Sequence, residues 1–136
     1  MKKILVLCTS LTCFASFGQT DNGITSLDFV QILNNNREEA IYYYQNNWKV
    51  LRDWALEEKI IASYEFFQTE STPDQPFDFI LRTTYPDSIQ FAAREENFQR
   101  LIRRKGESRL KNELQPSDFR KILFSKEFSR HGFSVY

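Results

Sequence analysis

The spacing of apolar residues along residues 24–128 changes in a fixed order, and this order constrains the fold more than any other feature. The segments 24–33, 60–70 and 77–85 have a strand character, with side chains that point alternately to the two faces of a sheet. Apolar residues recur at spacings of three and four, as in amphipathic helices, in the segments 36–59 and 87–105. The sequence therefore predicts strand, helix, two strands and a second helix.

The last predicted element is ambiguous, because residues 119–128 fit either a helix or a strand. We expect a short helical turn that passes into a final strand. The complete order is then β-α-β-β-α-β, which is typical of a ferredoxin-like α+β domain with an antiparallel sheet and two helices on one face.

Local signals support the ends of both helices. Asn36 with Glu39 three residues later has the spacing of a capping box, and we expect the first helix to run from there to about Lys59. Asp87 after Pro86 predicts the start of the second helix. Basic residues before Gly106 predict its end.

Both faces of the predicted strands carry apolar side chains. In the first strand, Leu27 and Phe29 alternate with Val30 and Ile32. Two helices can cover one face of the sheet only. We therefore expect a second copy of the chain to cover the other face, in a homodimer that packs sheet against sheet.

The N-terminus has the pattern of a cleavable signal peptide. Lys2 and Lys3 precede a mostly apolar run over 4–17, and Ser16 and Gly18 place small residues before a cleavage site. The run is shorter than the roughly 20 residues of a membrane span, although an uncleaved anchor and a lipoprotein are alternatives. We expect residues 1–18 to be removed and residues 19–136 to form a single domain, periplasmic or secreted, with no membrane segment.

Loss of the leader narrows the chemistry of the mature domain. Both cysteines, Cys8 and Cys13, lie in the leader, so disulfides, thiolate metal sites and cysteine nucleophiles are excluded. Without Lys2 and Lys3 the chain has 16 basic and 18 acidic residues, which argues against nucleic-acid binding through bulk charge. His131 is the single histidine, so the common zinc sites and a Ser-His-Asp triad are not available. We expect no metal and no cofactor; haem ligation by His131 is a weaker alternative.

One face of the first helix holds the candidate ligand-binding group. Tyr44, Trp48 and Arg52 follow one another at intervals of four, so Arg52 can stack on Trp48 or bind an anionic ligand in a cleft between helix and sheet. Tyr64, and further along Tyr85, can add hydroxyl donors. The candidate ligand-binding residues are Tyr44, Trp48, Arg52 and Tyr64. In the alternative interpretation the aromatic residues fill the core and Arg52 pairs with an acid such as Glu95.

The chain resembles the dimeric α+β barrel superfamily in the broad sense that includes antibiotic-monooxygenase-like and NIPSNAP-like domains. The resemblance rests on the element order, on Trp48 and Arg52 in the long first helix, and on the segment 79–98. It covers residues 27–128. The resemblance implies the fold and a homodimer; superfamily members include monooxygenases, haem-degrading enzymes, small-molecule lyases and proteins without known activity.

Two functions are compatible with these features. The first is an exported homodimer that binds a small molecule or a protein partner. The second is a cofactor-free, monooxygenase-like or lyase-like enzyme whose cleft lies between the first helix and the sheet. The sequence identifies no catalytic residues, and it leaves open whether the domain is an enzyme.

Overall fold

The computed structural model describes residues 23–129, in which a four-stranded antiparallel sheet carries helices on one face. The strands are β1 (Ile24–Ile32), β2 (Ser63–Gln68), β3 (Phe79–Tyr85) and β4 (Arg120–Ser129). They lie in the order β2-β3-β1-β4. This arrangement confirms the ferredoxin-like α+β fold predicted from the sequence. The predicted leader and His131 lie outside the described residues.

Helices connect the strands on the covered face of the sheet. They are α1 (Arg37–Tyr43), α2 (Lys49–Glu57), α3 (Ser88–Ala92), α4 (Arg94–Lys105) and α5 (Pro116–Phe119). The turn α5 leads directly into β4, as predicted. Among residues 23–129, the helices are all too short or too polar to span a membrane.

The first predicted helix is interrupted by a π-helical turn over Tyr44–Trp48, which joins α1 to α2. The predicted cap at its start is wrong, because the Asn36 side chain makes no cap hydrogen bond and donates to the Asp118 carbonyl at 3.3 Å. The helix ends at Glu57, two residues before the predicted end. Lys59 then takes a left-handed conformation with φ of 58°, which reverses the chain after the helix.

The second strand is shorter than the predicted segment 60–70. Ile60 and Ile61 lie before β2 and are buried, with 4% and 2% of their surface exposed. They belong to a core cluster with Tyr85 and Leu101. Their apolar character reflects this packing between helix and sheet, which the alternating pattern cannot distinguish from strand pairing.

The second predicted helix is divided into α3 and α4 at Ala93. Its predicted cap is confirmed, because Asp87 Oδ1 accepts a hydrogen bond of 2.8 Å from the backbone nitrogen of Gln90. Gly106 ends α4 with φ of 77°, in the region that glycine adopts readily.

Both faces of the sheet carry apolar side chains, as predicted. The covered face buries Val30, Phe79 and Leu81 beneath the helices. The opposite face, termed the open face below, has no helix over it within residues 23–129. Its apolar side chains are Leu27, Phe29, Phe67, Ile80, Phe124 and Phe128.

Candidate functional site

Two cavities lie between the helices and the covered face of the sheet, and the four candidate residues divide between them. Tyr44, Trp48 and Tyr64 line a small cavity of about 210 Å³, termed the apolar cavity. Arg52 lines a larger one of about 460 Å³, termed the polar cleft. The sequence placed all four residues in one cleft, so the structure brings three of them together and sets Arg52 apart.

Helix geometry explains this division. Four residues of an α-helix turn through roughly 400°, so a residue four positions on is displaced by about 40° around the axis. This displacement separates Arg52 from Trp48, whereas the step from Tyr44 to Trp48 falls within the π-helical turn, in which each residue turns through a smaller angle. Trp48 remains at the boundary, with Tyr44 on one side and Arg52 on the other.

Arg52 is held between two aromatic rings. Its Cζ lies 4.9 Å from the ring centroid of Trp48 and 4.2 Å from that of Phe98. Its Nε donates a hydrogen bond of 3.2 Å to Thr83 Oγ1. Such stacking fixes the plane of the guanidinium and leaves its outer N–H groups to point elsewhere.

The guanidinium of Arg52 has no ion-pair partner within residues 23–129. Glu95, the partner considered in the alternative interpretation, lines the same cleft without forming a salt bridge to it. Burial lowers the pKa of Arg52 to about 10, so the group remains charged at neutral pH. The polar cleft therefore contains a positioned cation whose Nη groups have no acceptor in the described part of the chain.

Polar side chains form the rest of the cleft. Asp28 of β1 accepts a hydrogen bond of 2.5 Å from Ser125 of β4, and both line the cleft. Burial raises the pKa of Tyr85, which keeps its hydroxyl protonated as a hydrogen-bond donor. Arg94 is engaged, because it donates to the Phe91 carbonyl at 2.8 Å and stacks 3.9 Å from the Phe91 centroid.

The apolar cavity has aromatic walls and a polar rim. The Trp48 and Tyr64 rings meet edge to face with centroids 5.4 Å apart, and Tyr44 meets Trp48 in the same manner at 6.4 Å. The lining residues are Ile41, Tyr44, Gln45, Trp48, Lys49, Tyr64, Phe66 and Gln68.

A hydrogen-bonded trio stands beside the apolar cavity. Tyr64 donates to Asp53 Oδ1 at 2.5 Å, and Lys49 Nζ lies 2.8 Å from Asp53 Oδ2. Burial opposes the charge on Asp53, but the hydrogen bonds from Lys49 and Tyr64 outweigh it and hold the pKa of Asp53 below its ordinary value. The hydroxyl of Tyr64 is therefore occupied, and its ring is what the cavity presents to a ligand.

The sequence did not predict four residues of the polar cleft, Asp28, Thr83, Phe98 and Ser125. Asp28 carried a usable signal, because it shares the alternating set of Val30 and Ile32, and a carboxylate on a buried face needs a partner or a function. Residues 23–129 contain no group of three or more histidine, cysteine or acidic side chains placed to bind a metal ion.

Comparisons with known proteins place the fold but not the family. No protein-family model matches the chain, and no curated protein matches it. Among solved structures, HapK from Hahella chejuensis is similar with a TM-score of 0.55 at 10% identity, over 83% of this chain and 97% of that one. A NIPSNAP-like domain protein from Burkholderia xenovorans is similar with a TM-score of 0.52 at 14% identity, over 85% and 91%.

A third solved structure carries the name of the fold. It is a dimeric protein of unknown function and ferredoxin-like fold from Bacteroides fragilis, with a TM-score of 0.51 at 7% identity, over 80% of this chain and 97% of that one. Together with the strand order and the helices on one face, these similarities show that the chain has the ferredoxin-like α+β fold.

Proposed function

We propose that the protein is an exported homodimer that binds a small organic anion in the polar cleft, with Arg52 as the anchor for the negative group. The guanidinium of Arg52 carries this proposal. The Nη groups of this part-buried cation line an open cleft and have no acceptor within residues 23–129, so they can bind an anion that enters it. The stacking of the guanidinium between Trp48 and Phe98 presents the outer N–H groups in a fixed plane, which suits a carboxylate.

The remaining lining restricts the ligand further. Asp28, Glu95 and Glu127 give the cleft three carboxylates against the guanidinium groups of Arg52 and Arg94. This balance disfavours a doubly charged phosphate more than a singly charged carboxylate. Because the carboxylates also accept hydrogen bonds, the ligand should carry hydroxyl groups. A volume of about 460 Å³ suits a small molecule.

Binding of 4-hydroxybenzoate to the mature chain, measured by calorimetry or ligand-observed NMR, tests this function. Arg52→Gln removes the charge while keeping a polar side chain, and should weaken binding by roughly tenfold or more, as loss of a charged hydrogen bond does. Arg100→Gln is the matched control, because Arg100 pairs with Glu58 on the surface and lies outside the cleft. Equal binding by both variants would refute the assignment of Arg52.

The homodimer is the second part of the proposal. Phe67, Phe124 and Phe128 on the open face each expose more than two fifths of their surface, which is unusual for three phenylalanines on one face of a monomer. The Bacteroides fragilis protein of the same fold is described as dimeric. We propose that a second copy covers this face.

Export is the third part and rests on the leader. Mass spectrometry of the protein recovered outside the cytoplasm of a producing bacterium should give a chain that begins at Gln19. Recovery of the full-length chain in the cytoplasm would contradict it.

Asp28 supports a second candidate function, that of a cofactor-free enzyme of the lyase-like or monooxygenase-like type. Its carboxylate lies in the same cleft as Arg52 and is oriented by Ser125. An α-keto acid held by Arg52 through its carboxylate would present the C–H bond next to its keto group to the Asp28 carboxylate, which could accept the proton and leave an enolate. Deuterium exchange into phenylpyruvate tests the idea: catalysed exchange lost in Asp28→Asn would support it, and exchange at the uncatalysed rate would exclude it for this probe.

A further inference from the structure

We infer that the apolar cavity is a second binding site, which takes a neutral molecule with a single aromatic ring, such as a phenol. This site lies across Trp48 from the polar cleft and shares no lining residue with it. It goes beyond the proposed anion site, because neither its walls nor its ligand involve Arg52.

The shape of the cavity fits one ring. Its volume of about 210 Å³ exceeds the roughly 150 Å³ of a protein cavity that takes up benzene. The Trp48 and Tyr64 rings stand at 81° to each other, and Tyr44 stands at 81° to Trp48. Rings arranged at right angles offer a planar guest both edge-to-face and face contacts, which are the geometries that aromatic pairs prefer.

The charge around the mouth selects a neutral guest. Lys49 at the rim is neutralised by Asp53 at 2.8 Å, so neither sign of charge is left without a partner there. Trp48 already has the Arg52 guanidinium 4.9 Å from its ring, which opposes a second cation beside it. The exposed amides of Gln45 and Gln68 at the rim have no side-chain hydrogen bond to residues 23–129, so they can bind a ring hydroxyl.

The backbone of the helix gives an independent indication. Tyr44, Gln45 and Trp48 all belong to the π-helical turn, so this irregular turn supplies most of the helical wall of the cavity. Single π-helical turns interrupt the regular hydrogen bonding of a helix and occur frequently at functional sites.

The test uses p-cresol, which resembles 4-hydroxybenzoate but has a methyl group in place of the carboxylate. Gln45→Trp and Gln68→Trp each place a large ring at the mouth of the apolar cavity, from side chains exposed enough to leave the core intact. Gln99→Trp makes the same substitution at an exposed position of the polar cleft and serves as the matched control. Binding is measured by saturation-transfer NMR with the mature chain.

We expect p-cresol to bind the wild-type protein, to bind roughly tenfold more weakly to Gln45→Trp and Gln68→Trp through steric exclusion, and to bind Gln99→Trp unchanged. We expect 4-hydroxybenzoate to show the opposite pattern. The inference is overturned if p-cresol does not bind at millimolar concentration, if both cavity variants bind it as the wild type does, or if Gln99→Trp abolishes its binding. Because p-cresol has no charge for Arg52 to bind, its result stands whether or not 4-hydroxybenzoate binds.

Discussion

Phe29 of β1 and Phe124 of β4 stack on the open face of the sheet, with ring centroids 4.5 Å apart and ring planes 21° apart. The two residues are direct partners across the strands. Phe124 nevertheless exposes 44% of its surface, so the stack covers only part of the apolar area that the strands present. A charge at this position should therefore act on association more than on the fold of one copy.

Phe124→Glu should convert the protein from dimer to monomer. In the dimer, both copies would bury the introduced carboxylate, either against its symmetry mate or against other phenylalanines of the partner. Burying these charges should cost several kcal/mol. Light scattering at micromolar concentration should show half the mass of the wild type. Ile89→Glu in α3 introduces the same charge at a residue that is 76% exposed on the helical side, and should leave the mass unchanged. A monomeric wild type would contradict the proposed interface.

Leu101→Ala should destabilise the domain by about 2–5 kcal/mol, because the side chain is fully buried against α2 and the loop before β2 and its removal leaves a cavity. Ile102→Ala, one residue further along α4, removes a side chain that is 43% exposed and should cost less than half as much. Urea unfolding of both variants checks the difference. Equal losses would mean that α4 does not pack as described.

Tyr64→Phe should raise the pKa of Asp53 toward its ordinary value, because it removes one of the hydrogen bonds that stabilise the carboxylate. A carboxyl group whose pKa is lower in the folded state than in the unfolded state stabilises the fold at pH values above its unfolded-state pKa of about 3.9. This contribution disappears as the pH falls through the lower folded-state pKa. The variant should therefore lose less stability than the wild type on acidification through that window.

NMR titration of Asp53 and unfolding at a series of acidic pH values measure this effect. Tyr42→Phe is the control, since the Tyr42 hydroxyl makes no hydrogen bond to residues 23–129. An unchanged pKa of Asp53 in Tyr64→Phe would show that Lys49 alone sets it.

Asp87→Ala should cost about 1 kcal/mol of stability, because it removes the cap that accepts from the Gln90 backbone at the start of α3. Asn36→Ala should cost less, although its sequence context predicts a cap equally well, because the Asn36 side chain makes no cap hydrogen bond. Thermal unfolding of the two variants distinguishes them. A larger loss for Asn36→Ala would contradict the described geometry.

The sequence predicts the order of elements well because each element follows from a local pattern. β3 illustrates this: Phe79, Leu81, Thr83 and Tyr85 alternate with more exposed side chains and are all buried. The pattern fails where burial has another cause. Ile60 and Ile61 are residue types typical of a strand, but they lie in the loop before β2 and pack into the core.

The sequence predicts only part of the candidate site, because the rotation of one helix about its axis decides which of its residues share a cavity. The spacing of four residues correctly brings Trp48 beside Arg52 and places Tyr44 next to Trp48. It does not reveal that hydrogen bonding changes over Tyr44–Trp48, since no residue type specifies a π-helical turn. Phe98 meets Arg52 from a distant helix, a contact that no local pattern predicts.

The π-helical turn also marks a place where related chains can differ in length without losing the site. A π-helical turn holds about one residue more than an α-helical turn, so removal of a single residue within Tyr44–Trp48 would restore regular hydrogen bonding and leave α2 close to its present rotation relative to α1. Arg52 would remain in the polar cleft, one position earlier in the chain. Related chains should therefore be compared by the length of this helix before their site residues are aligned.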